Sequence, residues 1–106
     1  MSNYHYPKDR QKQIGKFIEL NVVKELSPAF NDYIQKVFQE GKTSIKTKEL
    51  IAVACAHMTR CPYCIETHVK NAKNAGASNE EIGEAISVAV AMSAGATLAH
   101  GLLAMD

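Results

Sequence analysis

Arg60-Cys61-Pro62-Tyr63-Cys64-Ile65-Glu66-Thr67-His68 decides how the rest of the chain is read. Pro62 suits the first turn of a helix, where the N–H it lacks has no intrahelical partner in any case. That puts Cys61 at the N-cap and Cys64 in the first turn. Two thiols in a C-x-x-C turn can close a small, reversible disulfide, and a lowered thiol pKa at such a site supplies thiolate near neutral pH. At about 100° per residue, Cys64 lies roughly 300° and His68 roughly 340° round from Cys61, so the three share an arc of about 60°. Cys64 and His68 are also an i, i+4 pair. The helix N-terminus favours thiolate over thiol, and an imidazole takes or returns a proton near pH 7. Spacing alone leaves open which cysteine attacks.

The flanking segments read as helices, and no segment reads as a strand. Upstream, Leu50-Ile51-Ala52-Val53-Ala54-Cys55-Ala56 is apolar nearly all round, so the helix from Lys48 to about Met58, capped by Thr47, is expected to be central. Downstream, Gly76 is a left-handed terminator and Ser78-Asn79-Glu80-Glu81 a capping box. Further out, a first helix covers about Asp9 to Leu20. Ser27-Pro28 opens a second that Gly41 ends, with Phe30, Tyr33, Ile34 and Val37 on one face. Ser93-Ala94-Gly95 is read as a break between two final helices. The expectation is an all-α fold of about six helices, one domain over residues 1–106, without the βαβ pattern of thioredoxin-like proteins.

Composition narrows the function. Twelve basic and eleven acidic side chains are dispersed along the chain, for a net charge of +1; with no basic block there is no case for nucleic acid. Three cysteines, two of them three residues apart, do not make a secreted disulfide scaffold, and the first thirteen residues are polar. A cytoplasmic chain is expected. From Ala85 to Met105 no residue is charged. That length could span a bilayer, but Ser87, Ser93, Gly95, Thr97, His100 and Gly101 dilute it. No membrane partner is expected, and the excess apolar surface points instead to a homo-oligomer.

Glu49, in the first turn of the apolar helix, has two readings: a carboxylate complementing the helix dipole beside Lys46 and Lys48, or a partly buried base opposite the cysteines. Cys55, about 240° round that helix from Glu49, is read as a buried, inert thiol. His57 is read as structural or solvent-exposed, and His100 as a core or interface residue. Tyr4, His5 and Tyr6 lie in a polar N-terminus.

Glu49, eleven residues, Cys61-x-x-Cys64, three residues and His68 resemble the E-x11-C-x-x-C-x3-H signature of AhpD-like proteins in the carboxymuconolactone decarboxylase superfamily. Thr47-Lys48-Glu49-Leu50-Ile51 and Ala75-Gly76-Ala77-Ser78-Asn79-Glu80-Glu81-Ile82 extend the resemblance over about Ser44 to Met92. It implies an oligomeric helical enzyme, trimer or hexamer, that needs no cofactor or metal. Its substrates would be a hydroperoxide or a disulfide, and its reductant an external thiol protein. By the same resemblance Cys64 is the thiolate that meets peroxide, Cys61 resolves the sulfenic acid to a disulfide, and Glu49 with His68 relays the proton. One position departs: the best-studied branch of the family has a second His between the cysteines, and this chain has Tyr63. A phenol is no base at neutral pH without a large pKa shift, which leaves it to orient the relay or to pack. The rival readings are a zinc site on His57, Cys61, Cys64 and His68, a cofactor-free lyase of the same superfamily, and a non-catalytic oligomeric module.

Overall fold

The computed structural model describes residues 8–106. They carry five helices, α1 Arg10–Ile18, α2 Asn21–Val37, α3 Ile45–Met58, α4 Pro62–Asn74 and α5 Asn79–Ala104, and no strand. The all-α expectation holds. Tyr4, His5 and Tyr6 lie outside the described residues. Contacts divide the chain into two compact units, one ending at Gly41 and one spanning Lys42–Asp106.

In the first unit, α2 corrects the reading of Ser27-Pro28. The helix starts at Asn21, after an extended Leu20, and Pro28 lies inside it. Ser-Pro is a two-residue signal. A helix already running for two turns needs only to forgo one hydrogen bond, to the Lys24 carbonyl, when it meets Pro28. Val23, Leu26, Phe30, Tyr33 and Val37 keep helical spacing straight through the proline, and Phe30 stacks on Tyr33 with ring centroids 6.5 Å apart. The helix also stops before Gly41, with Phe38 as its C-cap.

In the second unit, α3 packs against both α4 and α5 and is central, as its apolar sequence requires. Its cap is Ser44 rather than Thr47. The Thr47 N–H donates to the Ser44 hydroxyl oxygen at 3.1 Å, and that hydroxyl donates to the Thr47 hydroxyl at 2.9 Å. Glu49, Val53 and Ala56, at helical spacing, are the buried residues of α3. Val53, Ala72, Ala77 and Ile82 form the core, with Leu50, Val69 and Ile86 packed on it. The core has few large side chains, so close approach of the helices matters more than bulk.

The two loops of this unit share one device. At the end of α3 the Cys61 N–H donates to the Ala56 carbonyl at 3.1 Å and the Arg60 N–H to His57 at 3.3 Å; at the end of α4 the Ala77 N–H donates to Ala72 at 2.9 Å and the Gly76 N–H to Lys73 at 3.0 Å. Both are Schellman closures, which require a left-handed residue after the C-cap. Arg60 (φ 57°) and Gly76 (φ 96°) take that conformation. Each closure leads into an N-cap, Cys61 for α4 and Ser78 for α5, where the expected capping box with Glu81 forms.

The final two helices of the sequence reading are one. α5 runs unbroken through Ser93-Ala94-Gly95, giving five described helices rather than about six. A glycine inside a helix costs only about 1 kcal/mol relative to alanine. The hydroxyls find partners within the helix, Ser87 donating to the Gly83 carbonyl and Thr97 to that of Ser93, each at 2.9 Å. Only Ile82 and Ala89 of α5 are buried. Val88, Val90, Met92, Leu98, Leu102, Leu103 and Met105 are each more than half exposed. By length and composition α5 could cross a membrane.

Candidate active site

The site begins with the N-cap of α4. Cys61 has the extended backbone of a cap, and its sulfur accepts from the Cys64 N–H at 3.2 Å. Pro62 follows in the first turn, as the sequence predicts. With Cα atoms 5.2 Å apart, the two cysteines are joined as a disulfide. A capping geometry that folds the chain back over three residues therefore also brings the two sulfurs to bonding distance. Both cysteines are half-buried.

His68 stands one turn beyond Cys64 on the same strip of α4. Its Nδ1 lies 2.7 Å from Oε1 of Glu49, 19 residues earlier on α3. Glu49 is buried, its side chain 7% exposed, while that of His68 is 24% exposed. An ionised carboxylate can only accept, so Nδ1 carries the proton and Nε2 is the basic nitrogen of the neutral ring. A buried carboxylate of this kind fixes the tautomer and the ring orientation and stabilises the imidazolium when it forms. Of the two readings of Glu49, the structure shows a buried group paired across two helices. Lys46 turns instead to Glu81, its Nζ 3.0 Å from Oε2.

The structure thus places Glu49 with His68 and Cys61 with Cys64, all on the packed pair α3 and α4. His57 is tied to its own helix, its Nδ1 2.8 Å from the Val53 carbonyl, and lines an open groove of about 530 Å³ with Met58, Ala89, Val90, Ser93 and Thr97. Cys55 corrects the sequence reading: its thiol is exposed rather than buried. It does lie off the Glu49 face, but the strip it shares with exposed Ile51 and Met58 is left uncovered by α4 and α5. His100 is exposed too, on the uncovered part of α5. Among the described residues, no three His, Cys, Asp or Glu side chains converge as a metal site.

Two features went unread in the sequence. Ser44 as the α3 cap was signalled by its place three residues before Thr47. The left-handed Arg60 follows from the brevity of the turn: only Thr59 and Arg60 separate the last residue of α3 from the capping Cys61.

Fold and site together define a helical protein with a C-x-x-C helix cap beside a buried Glu–His pair. Residues 24–106 match the carboxymuconolactone decarboxylase family. The chain is 53% identical over 75 residues to a Paracoccus denitrificans protein described as uncharacterized protein 4 in cox locus, covering 71% of this chain and 68% of that one. A carboxymuconolactone decarboxylase family protein of Legionella pneumophila, solved in its apo form, superposes with a TM-score of 0.72 at 36% identity, over 80% of this chain and 74% of that one. A Methanobacterium thermoautotrophicum protein superposes with a TM-score of 0.74 at 32% identity, over 83% and 98% of the respective chains. This chain belongs to the carboxymuconolactone decarboxylase family.

Proposed function

We propose that the protein is a thiol-dependent peroxidase acting through the Cys61–Cys64 pair. The observation that carries this is the 2.7 Å contact between Glu49 and His68, which equips the ring one turn from Cys64 as a base. His68 takes the Cys64 proton. The thiolate attacks the terminal oxygen of a hydroperoxide, the O–O bond breaks, and the leaving alkoxide takes the proton from the imidazolium and departs as alcohol. Cys64, oxidised by two electrons, is a sulfenic acid. Cys61 attacks it, the S–S bond forms, and hydroxide leaves as water with the Cys61 proton. Two equivalents of an external thiol, delivered by a reductant protein, reopen the disulfide and are themselves oxidised to a disulfide.

Such a cycle belongs in a reducing compartment, and we place it in the cytoplasm. We also propose a homo-oligomer in which the exposed face of α5 is covered by further copies. The first turns of α5 are committed to the core through Ile82, Ile86 and Ala89. The stretch Val90–Ala104 that is left reaches about 22 Å at 1.5 Å per residue, short of a hydrocarbon layer about 30 Å thick.

Steady-state consumption of an alkyl hydroperoxide with a thiol reductant, in the wild type, Cys64→Ser and Glu49→Gln, tests the proposal. Cys64→Ser is expected to abolish turnover. Unchanged turnover in both variants would reject the mechanism.

A further inference from the structure

We propose that Arg60 is a specificity-determining residue for the reductive half of the cycle, favouring thiol reductants that carry negative charge; this rests on the redox reading of the Cys61–Cys64 pair. Arg60 sits in the left-handed region at φ 57°, where an L side chain crowds its own backbone and glycine is the usual choice. The same turn at the end of α4 uses glycine, at Gly76. The closure itself therefore needs no side chain at this position, and an arginine adds strain there. Asparagine and aspartate, the residues other than glycine that tolerate this conformation best, are not used either. A strained residue beside a reactive group is a reason to look for a role of its side chain.

The surroundings say what that role is. Arg60 is exposed, and among the described residues its guanidinium makes no hydrogen bond or ion pair, so none of them takes up its charge. It is joined by one peptide bond to Cys61. The N-terminus of α4, whose first-turn N–H of Cys64 points at the Cys61 sulfur, adds partial positive charge on the same spot. An attacking thiolate is itself an anion, and a second negative charge on the reductant gains from the same field.

The step is ordinary thiol–disulfide exchange. A reductant thiolate attacks Cys61, the Cys61–Cys64 bond breaks with its electron pair leaving on Cys64, and a second thiolate displaces Cys61 from the mixed disulfide. The products are the dithiol and an oxidised reductant. Arg60 touches neither sulfur bond. It biases which reductant arrives.

The test compares rate constants for opening the disulfide of the full chain by mercaptoethanesulfonate, mercaptoethanol and cysteamine, normalised to thiolate, at low salt. At a separation of about 7 Å between two unit charges, the interaction in water changes the rate for a singly charged reductant by roughly threefold. Wild type is expected to prefer the sulfonate to the ammonium thiol. In Arg60→Gly that ratio falls roughly eightfold, in Arg60→Lys most of it survives, and in 1 M salt the wild-type preference collapses. Arg60→Gly should melt no lower than wild type, since glycine relieves the turn. A ratio unchanged in Arg60→Gly, or a preference insensitive to salt, overturns the inference while leaving the redox pair intact. A disulfide that none of the three thiols opens overturns the redox reading and this inference together.

Discussion

The loops at the two ends of α4 are built on one plan and differ in what they give up. Both close a helix with a Schellman turn and pass to an N-cap. The α4–α5 loop uses the easy residues, Gly76 in the left-handed turn and Ser78 at the cap, with the Ser78 N–H completing the box by donating to Glu81 Oε1 at 2.9 Å. The α3–α4 loop puts Arg60 in the left-handed turn and a thiol at the cap, where sulfur is a weaker acceptor than a hydroxyl. The second loop is optimised for folding, whereas the first accepts strain and a poorer cap in exchange for a sulfur pair, a positive charge and a neighbouring base. Departure from the best structural choice thus falls at the end of the helix where the proposed chemistry lies.

The largest effect that would sharpen this contrast is on rate. Glu49→Gln keeps the shape of the buried side chain but removes the charge that orients His68 and stabilises its cation. It is expected to lower peroxide turnover by about 10²-fold, with the Cys61–Cys64 disulfide still forming under a mild oxidant. Substitutions in the α4–α5 loop should leave turnover alone and move stability only. Gly76→Arg, which copies the first loop's choice into the second, is expected to destabilise by about 1–2 kcal/mol in chemical unfolding. Equal stability of that variant and wild type would break the comparison. Ser78→Ala should cost about 1 kcal/mol, the ordinary loss of an N-cap oxygen.

The smallest effect is a pH dependence. Hydrogen bonding from the Ser78 backbone, and then the Lys46 ammonium, hold the Glu81 carboxyl below the usual range. A group whose pKa is lowered on folding stabilises the fold above its unfolded value, and that contribution is lost as pH falls through the lowered value. Melting temperature should therefore drop on acidification below the ordinary glutamate range, and Glu81→Gln should flatten part of that drop. An identical acid profile in the variant would remove Glu81 from the account.

How legible each part was in the sequence follows from the range of the forces involved. The Ser78–Glu81 box and the Cys61 cap are settled within four residues, and both were readable. Ser27-Pro28 was equally local, yet a helix begun at Asn21 absorbed it. Ser93-Ala94-Gly95 looked like a break because glycine and serine are weak helix formers, but a glycine inside a helix costs only about 1 kcal/mol, and α5 runs through it. The pairing of Glu49 with His68 joins two helices over 19 residues, and helical phase on either helix does not determine how the two cross. Only the family-like spacing pointed to it. Cys55 lies on the side of α3 away from Glu49, as helical phase predicts, and its exposure was not legible because phase does not say that α4 and α5 leave that side uncovered.

The central claim is that Cys64, served by His68 and Glu49, is the sulfur that peroxide oxidises. Cys61→Ser removes the resolving thiol but keeps an N-cap oxygen, so the sulfenic acid should persist. After one equivalent of hydroperoxide and trapping with dimedone, peptide mass spectrometry should find the adduct on Cys64 in near-stoichiometric yield. That yield should fall sharply when Glu49→Gln is added and the reaction is quenched early. Adduct on Cys55 in place of Cys64, or none at all, would contradict the account.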